Sequence, residues 1–210
     1  DFMMLISFLI CAPMFCFDNM VEAGAFKEWL QGQLDNVRDH IKKYSAHSEL
    51  IEIKTDLMGR NLMCQFYYQT GDASGQNMTT ICTWQACLLL ERQYNELRPG
   101  QITDFILDCN GSSDKKISYD SMLNGRGINV VAECVISEEV LRKKLKVSSA
   151  SLTRWFTRTS HAAQMGGMIG YNVNIANPIA AIFAATGQDL ACVHESSVGH
   201  LCFEDDPRGL

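Results

Sequence analysis

The sequence runs to 210 residues, 47% apolar and 20% charged, an ordinary composition for a soluble globular protein with ample length for a real core. A formal net charge of −6 and a pI near 5.3 exclude a basic nucleic-acid-binding surface and disfavour an anionic membrane partner. Nine cysteines, mostly inside apolar runs (Cys64, Cys82, Cys87, Cys134) and without a Cys-x-x-Cys pair, read as buried thiols of a reducing, cytoplasmic compartment; the five scattered histidines give no metal pattern.

Met3–Phe17 is apolar apart from Ser7 and Pro13. It lacks a basic leader and is too short to span a bilayer, so a buried strand over Met4–Phe17, irregular at Pro13, is predicted rather than a membrane span. Asp18 and Asn19 are candidate caps for a helix reaching Lys43, with Phe26, Trp29, Leu30, Leu34, Val37 and Ile41 recurring at helical spacing. Glu49–Lys54 alternates as a short strand, Met58–Asn61 is a turn, and Leu62–Gln69 is a strand with Leu62, Cys64, Phe66 and Tyr68 on one face. A long helix over Asn77–Leu97 stops before Pro99-Gly100, and Ile102–Cys109 is a further strand. The order β-α-β-β-α-β predicts an α+β chain with a ferredoxin-like sheet and two helices on one face.

A polar loop follows at Asn110–Lys116, and another closes at Gly125-Arg126-Gly127. Ile128–Ile136 reads as a strand, and Ser137 caps a helix over Glu138–Lys146 with Glu139 completing a capping box. Ser148–Arg158 is helical. Ala162–Ala185 is small, apolar and Gly-rich, which predicts a helix (about 160–187) buried on all sides and kinked or broken at Pro178. The Met165–Met168 stretch reads as core or as the lining, with Trp155, of an apolar pocket. Val193–Phe203 is a candidate final strand.

Between the predicted strand Leu62–Gln69 and its helix lies Thr70-Gly71-Asp72-Ala73-Ser74-Gly75-Gln76-Asn77-Met78. Such a Gly-rich strand-to-helix junction is either a plain turn or a cradle whose free N–H groups accept an anionic or amide ligand.

Gly71–Met78 resembles the GDAMGMNM cofactor motif of the hydroxymethylglutaryl-CoA reductase family. Asp114-Lys115-Lys116 resembles the family's DKK loop, Ile169–Asn177 its GGYNAHAAN stretch, and Ala185-Thr186-Gly187-Gln188-Asp189 its ACGQD, with Glu195-Ser196-Ser197 beyond it. The motifs keep the family's order and spacing. The resemblance implies that 1–12 begin a large domain, 13–108 form an inserted ferredoxin-like small domain, and 109–210 return to the large domain. It also implies that active sites form between two subunits of a homodimer.

By the same resemblance Lys115 matches the lysine that stabilises a developing oxyanion, and Asp189 the aspartate that tunes it. Asp72, Ser74, Gly75, Gln76 and Asn77 match the cofactor loop, while Asp108, Arg158, Asn174 and Asn177 fall at substrate-binding positions. Several family cations are replaced: an arginine by Cys11, the 2′-phosphate-gripping Ser-Arg-Phe by Ser45-Ala46-His47, a lysine by Thr157 and a histidine by Asn174. The glutamate, histidine and TVGGGT-like segments of the family are not matched.

These departures lead to the expectation of a repurposed, cofactor-free enzyme. It would take a hydrophobic small molecule through a cyclisation or Diels–Alder-type step of terpenoid or polyketide biosynthesis, with a vestigial cofactor loop. The alternatives are a fragment of a working NADPH-dependent reductase, which the aspartate at the first position suits, and a non-catalytic dimeric regulator. Lys115 is correspondingly either a carbonyl-polarising group or an inherited ion-pair partner.

Overall fold

The computed structural model describes residues 2–6, 9–71, 75–113, 115–124, 128–172, 174–204 and 206–210, with side chains from residue 9 onward except at 120, 121, 124, 128 and 129. Asp72, Ser74, Asp114 and the Gly125-Arg126-Gly127 loop thus lie outside the described residues. The chain is α+β and divides into two compact units: Leu5–Asp114 with Ser118–Asn129, and Asp1–Met4, Lys115–Ile117 with Val130–Leu210.

The first unit is built on a five-stranded antiparallel sheet. After β1 (Phe2–Ile6), β2 (Leu9–Cys11) and β3 (Met14–Phe17) run along the same edge of β5 (Asn61–Gln69), in register Cys11↔Phe66 and Met14↔Met63. They are one strand interrupted at Ala12-Pro13, as Pro13 predicts. Proline has no N–H for the ladder, and the two carbonyls at the break are met by Cys109 N–H (2.9 Å) and Cys64 N–H (2.8 Å). β4 (Glu49–Met58) covers the other edge of β5, joined to it by the Gly59-Arg60 turn with Gly59 at φ +61°. β6 (Ile102–Ile106) pairs with β3, so the sheet reads β4-β5-β3-β6.

Three helices cover one face: α1 (Met20–Leu30), α2 (Leu34–Ile41) and α3 (Gln76–Leu97). Asn19 caps α1 as expected, accepting the Val21 and Glu22 N–H groups at 3.0 Å each. The single helix expected to reach Lys43 is instead two, parted at Gln31-Gly32-Gln33, where glycine loses most on helix formation. Leu62, Cys64, Phe66 and Tyr68 are all fully buried against this layer, with Phe26, Val37, Ile41, Cys87 and Leu90 opposite them. β4 carries one extra residue between Leu50 and Glu52. Arg38 of α2 caps that bulge, donating to the Leu50 carbonyl (2.8 Å) and the Ile51 carbonyl (2.5 Å) while Asp35 holds its guanidinium at 3.0 Å. Charge-assisted bonds of this kind contribute on the order of 1.5–3 kcal/mol each.

A short helix, α4 (Tyr119–Asn124), completes the elements after β6 in the first unit. The second unit is mostly helical. Ser137 caps α5 (Glu138–Val140), which runs on as a π-turn to Leu145; Glu139 pairs with Lys143 at 2.6 Å rather than completing a capping box. The predicted small-residue helix is corrected. α6 (Ser149–Met165) ends at Gly166, and α7 (Ala176–Thr186) begins ten residues later with Pro178 in its first turn, where a missing N–H costs nothing. Neither helix has a buried residue in this chain; Met165 is 91% exposed and Trp155 and Ile182 more than half exposed. The Met165–Met168 stretch is accordingly surface, not core. The expected strand at Val193–Phe203 is a short helix, α8 (Val193–Ser196), followed by residues without regular secondary structure, and Cys134 is exposed rather than buried. Among the described residues no helix is long and apolar enough to cross a membrane, and no cluster of His, Cys, Asp or Glu could hold a metal ion.

Candidate functional site

In the helical unit the chain leaves α7 through Gly187, whose φ of +71° ends the helix while Gln188 N–H returns to the Phe183 carbonyl at 2.9 Å. The next residue but one, Asp189, caps the short turn Leu190–Cys192 by accepting Ala191 N–H at 3.0 Å. One oxygen is thereby fixed, and the other meets Lys115 Nζ at 2.9 Å. Lys115 is itself held: its φ is +57°, a left-handed conformation that costs a lysine on the order of 1 kcal/mol, and its N–H donates to Glu195 Oε1 at 3.2 Å. The Lys115 hydrogen bond, then the Ala191 N–H, pulls the Asp189 carboxyl below the ordinary aspartate range. The pair is open to solvent, at 40% and 48% exposure, so the ammonium is accessible to a reacting group.

Asn172 ties a neighbouring loop in place. Its Oδ1 accepts Ile175 N–H (3.1 Å), and its Nδ2 donates to the Ser197 and Gly199 carbonyls (3.3 Å each). Gly170, at φ +81°, could not carry a side chain, because a Cβ would lie 2.9 Å from the Gly199 carbonyl oxygen. Asn174 and Asn177 are exposed at the start of α7, and Arg158 is exposed on α6. Thr157 spends its hydroxyl on the Thr153 carbonyl of its own helix (3.0 Å).

The sheet unit holds the remaining predicted residues. Gly75, at φ +69°, sets the start of α3 and gives it no side-chain cap; Gln76 and Asn77 form its first turn. A cleft of about 100 Å3 opens beside that turn, lined by Cys11, Gln76, Thr80, Asp108 and Ser112 over an apolar wall. Asp108 accepts Asn110 N–H at 2.9 Å and so shapes the loop after β6. Gly111 in that loop has its carbonyl bound by Gln65 Nε2 at 2.8 Å, and a Cβ there would stand 2.3 Å from Met63 Sδ.

Sequence reasoning pairs Lys115 with Asp189, and the structure brings them together; Asp108 and Gln76 share the cleft. It missed Glu195 and Asn172 as positioning groups, although both stand inside the matched motifs, and it missed Thr80 and Ser112, which carry no motif signal.

Two separate motifs of this α+β chain thus deliver a lysine and an aspartate to one solvent-open ion pair. The family model described as hydroxymethylglutaryl-coenzyme A reductase matches residues 4–210, and the chain belongs to that family. It is 34% identical over 203 residues to the 3-hydroxy-3-methylglutaryl-coenzyme A reductase of Methanocaldococcus jannaschii, covering 95% of this chain and 49% of that protein. The reductase of Pyrococcus abyssi is 32% identical over 94% of this chain and 48% of its own length. That of Ganoderma lucidum is 33% identical over 88% of this chain and 15% of its own length. The chain spans about half the length of the archaeal relatives it matches.

These matches overturn the expectation of a cofactor-free cyclase or Diels–Alder-type enzyme of natural-product biosynthesis, and they give the rejection of reductase activity no support. The relatives at 30–34% identity are named as reductases. The expectation leaned on unmatched family segments and on the replaced cations at Cys11, Ser45-Ala46-His47, Thr157 and Asn174, and neither outweighs relatives named as reductases over most of this chain.

Proposed function

We propose that this chain is part of an NADPH-dependent hydroxymethylglutaryl-CoA reductase, in which Lys115 stabilises the oxyanion that develops on the thioester carbonyl and Asp189 holds and tunes it. The observation that carries this reading is the 2.9 Å Lys115–Asp189 bond between two family motifs. NADPH would supply the hydride. The uncapped start of α3 after Gly75 suits a nicotinamide dinucleotide, since helix N-termini offer N–H groups to anionic and amide groups; Gly75, Gln76 and Asn77, with Asp72 and Ser74, would hold it. Arg158, Asn174, Asn177 and Asp108 are the substrate-contacting residues of this reading. The purified protein that carries this sequence is expected to oxidise NADPH only when hydroxymethylglutaryl-CoA is added, releasing free CoA. NADPH consumption independent of the thioester, or none with NADPH and thioester both present, would sink it.

The sheet unit is read here as the ferredoxin-like small domain, 13–108, of that enzyme, supported by the strand order β4-β5-β3-β6 with two helical crossovers. The free thiols support a cytoplasmic setting. We further read the protein as a homodimer. A helix as apolar as α7 is ordinarily buried, yet α6 and α7 bury nothing within this chain, and a second copy is the cover consistent with shared active sites. Sedimentation velocity is expected to give a dimer mass, and a monomer at micromolar concentration would count against it.

A further inference from the structure

We propose that β4 is an interface: its outer edge, residues 52–58, pairs antiparallel with the same segment of a second copy, about a two-fold axis through Thr55. β4 is bonded to β5 along one edge, and among the described residues no strand borders the other. Open edges present rows of N–H and C=O groups that an added strand satisfies. Arg38 fixes where this edge begins. Its guanidinium occupies the Leu50 and Ile51 carbonyls, which leaves residues 52–58 to a partner, and Thr55 is their midpoint. An axis there sets Lys54 opposite Asp56 and Ile53 opposite Leu57, each pair occurring twice. The register with β5 puts Ile53, Thr55 and Leu57 on the helix-covered face, beside Phe66, Cys64 and Leu62, and Lys54 and Asp56 on the other. Opposite charges thus meet on one face, while Leu57, 39% exposed in the single chain, gains an apolar neighbour on the other. Edge charges ordinarily deter pairing, but Glu52, Lys54 and Asp56 alternate in sign, so the strand repels most partners and fits itself. An axis at Lys54 would set that lysine against itself and Glu52 against Asp56, and one at Ile53 would run into the carbonyls that Arg38 holds. β6, at the other end of the sheet, is five residues long, and its Phe105 N–H is taken by Asp104 Oδ1 at 2.8 Å.

This contact uses no residue of α6 or α7, so a chain that dimerises through those helices becomes a tetramer through β4. Sedimentation velocity at micromolar concentration tests it. Asp56→Lys and Lys54→Asp each turn both Lys54–Asp56 pairs into like-charge pairs. Each is expected to weaken the association about tenfold or more and to halve the parent's mass. Mixed in equal amounts, the two variants should regain that mass, because every facing pair is again of opposite sign. Hydrogen exchange gives a second reading. Amides of 52–58 should gain protection as concentration rises, whereas those of β5, flanked by strands on both edges, should not change. A mass that Asp56→Lys leaves as it is, variants that fail to reassociate on mixing, or exchange in 52–58 that ignores concentration would each overturn the proposal. Turnover and the α6–α7 contact are read separately: a dimer insensitive to both substitutions removes the β4 interface and leaves the helical one standing.

Discussion

Phe26→Ala is expected to lower the stability of the sheet unit by about 3–5 kcal/mol, the usual cost of emptying a large aromatic site in a packed core. Phe26 is fully buried and stands at the centre of an aromatic cluster, with ring centroids at 4.9 Å from Phe15, 5.3 Å from Phe17, 5.5 Å from Trp29 and 4.9 Å from Tyr94. The Tyr94 contact is edge-on, at 83°, a geometry that adds roughly 0.5–1.5 kcal/mol beyond area burial. These partners come from β3, α1 and α3, so their surfaces cannot collapse into the space without moving whole elements. Against a net stability of about 5–15 kcal/mol for a domain, the loss is a large fraction. Urea unfolding followed by tryptophan fluorescence reads it, because Trp29 is among the partners. Val21→Ala on the same helix, at 73% exposure, is the control and should stay within about 0.5 kcal/mol of the parent. Equal midpoints for the two variants would show that this cluster does not organise the unit.

The same cluster shows what was legible in the sequence. The alternation Leu62, Cys64, Phe66, Tyr68 fixes one face of β5 because a strand has period two and one side must be dry. The cap at Asn19 and the break at Pro13 are local chemistry, and both stand as read. The division of α1 from α2 was harder, since Leu30 and Leu34 keep helical spacing straight across Gly32. The composition of Ala162–Ala185 predicts a buried helix, whereas α6 and α7 bury no residue within this chain. For the site, Lys115 and Asp189 were legible because each sits in a motif. The Glu195 contact was not, because it depends on the left-handed backbone of Lys115 and reaches 80 residues along the chain. The cleft was not legible at all, being assembled from β2, α3 and the loop after β6.

The largest kinetic effect is expected from Lys115→Met, which keeps the stem and removes the charge. If Lys115 stabilises an oxyanion, thioester-dependent NADPH oxidation should fall by about 10²–10³-fold in kcat with a much smaller change in KM, because the interaction is made chiefly in the transition state. An ion pair that merely ties the Lys115 loop to the turn after α7 predicts something different: a pair as exposed as this one is held by little net energy, and its loss would leave kcat nearly intact. A second readout tests the pairing itself. The Asp189 carboxyl lies below the ordinary range first because of the Lys115 hydrogen bond and then because of Ala191 N–H. In Lys115→Met its titration, followed by the side-chain carboxyl carbon in NMR, should therefore move up but not return fully, since the Ala191 bond remains. The sign follows from the lowered value. The contribution of Asp189 to stability is present above the ordinary aspartate range and is lost as pH falls through the lowered value, so the stability difference between parent and variant should be fullest near neutrality and vanish in strong acid, leaving the variant with the shallower acid dependence. A variant whose Asp189 titration rises while kcat holds would keep the ion pair as a structural contact and remove Lys115 from the chemistry. A fall in kcat with the same rise in titration ties the catalytic charge to the geometry that Gly187 and Asp189 build.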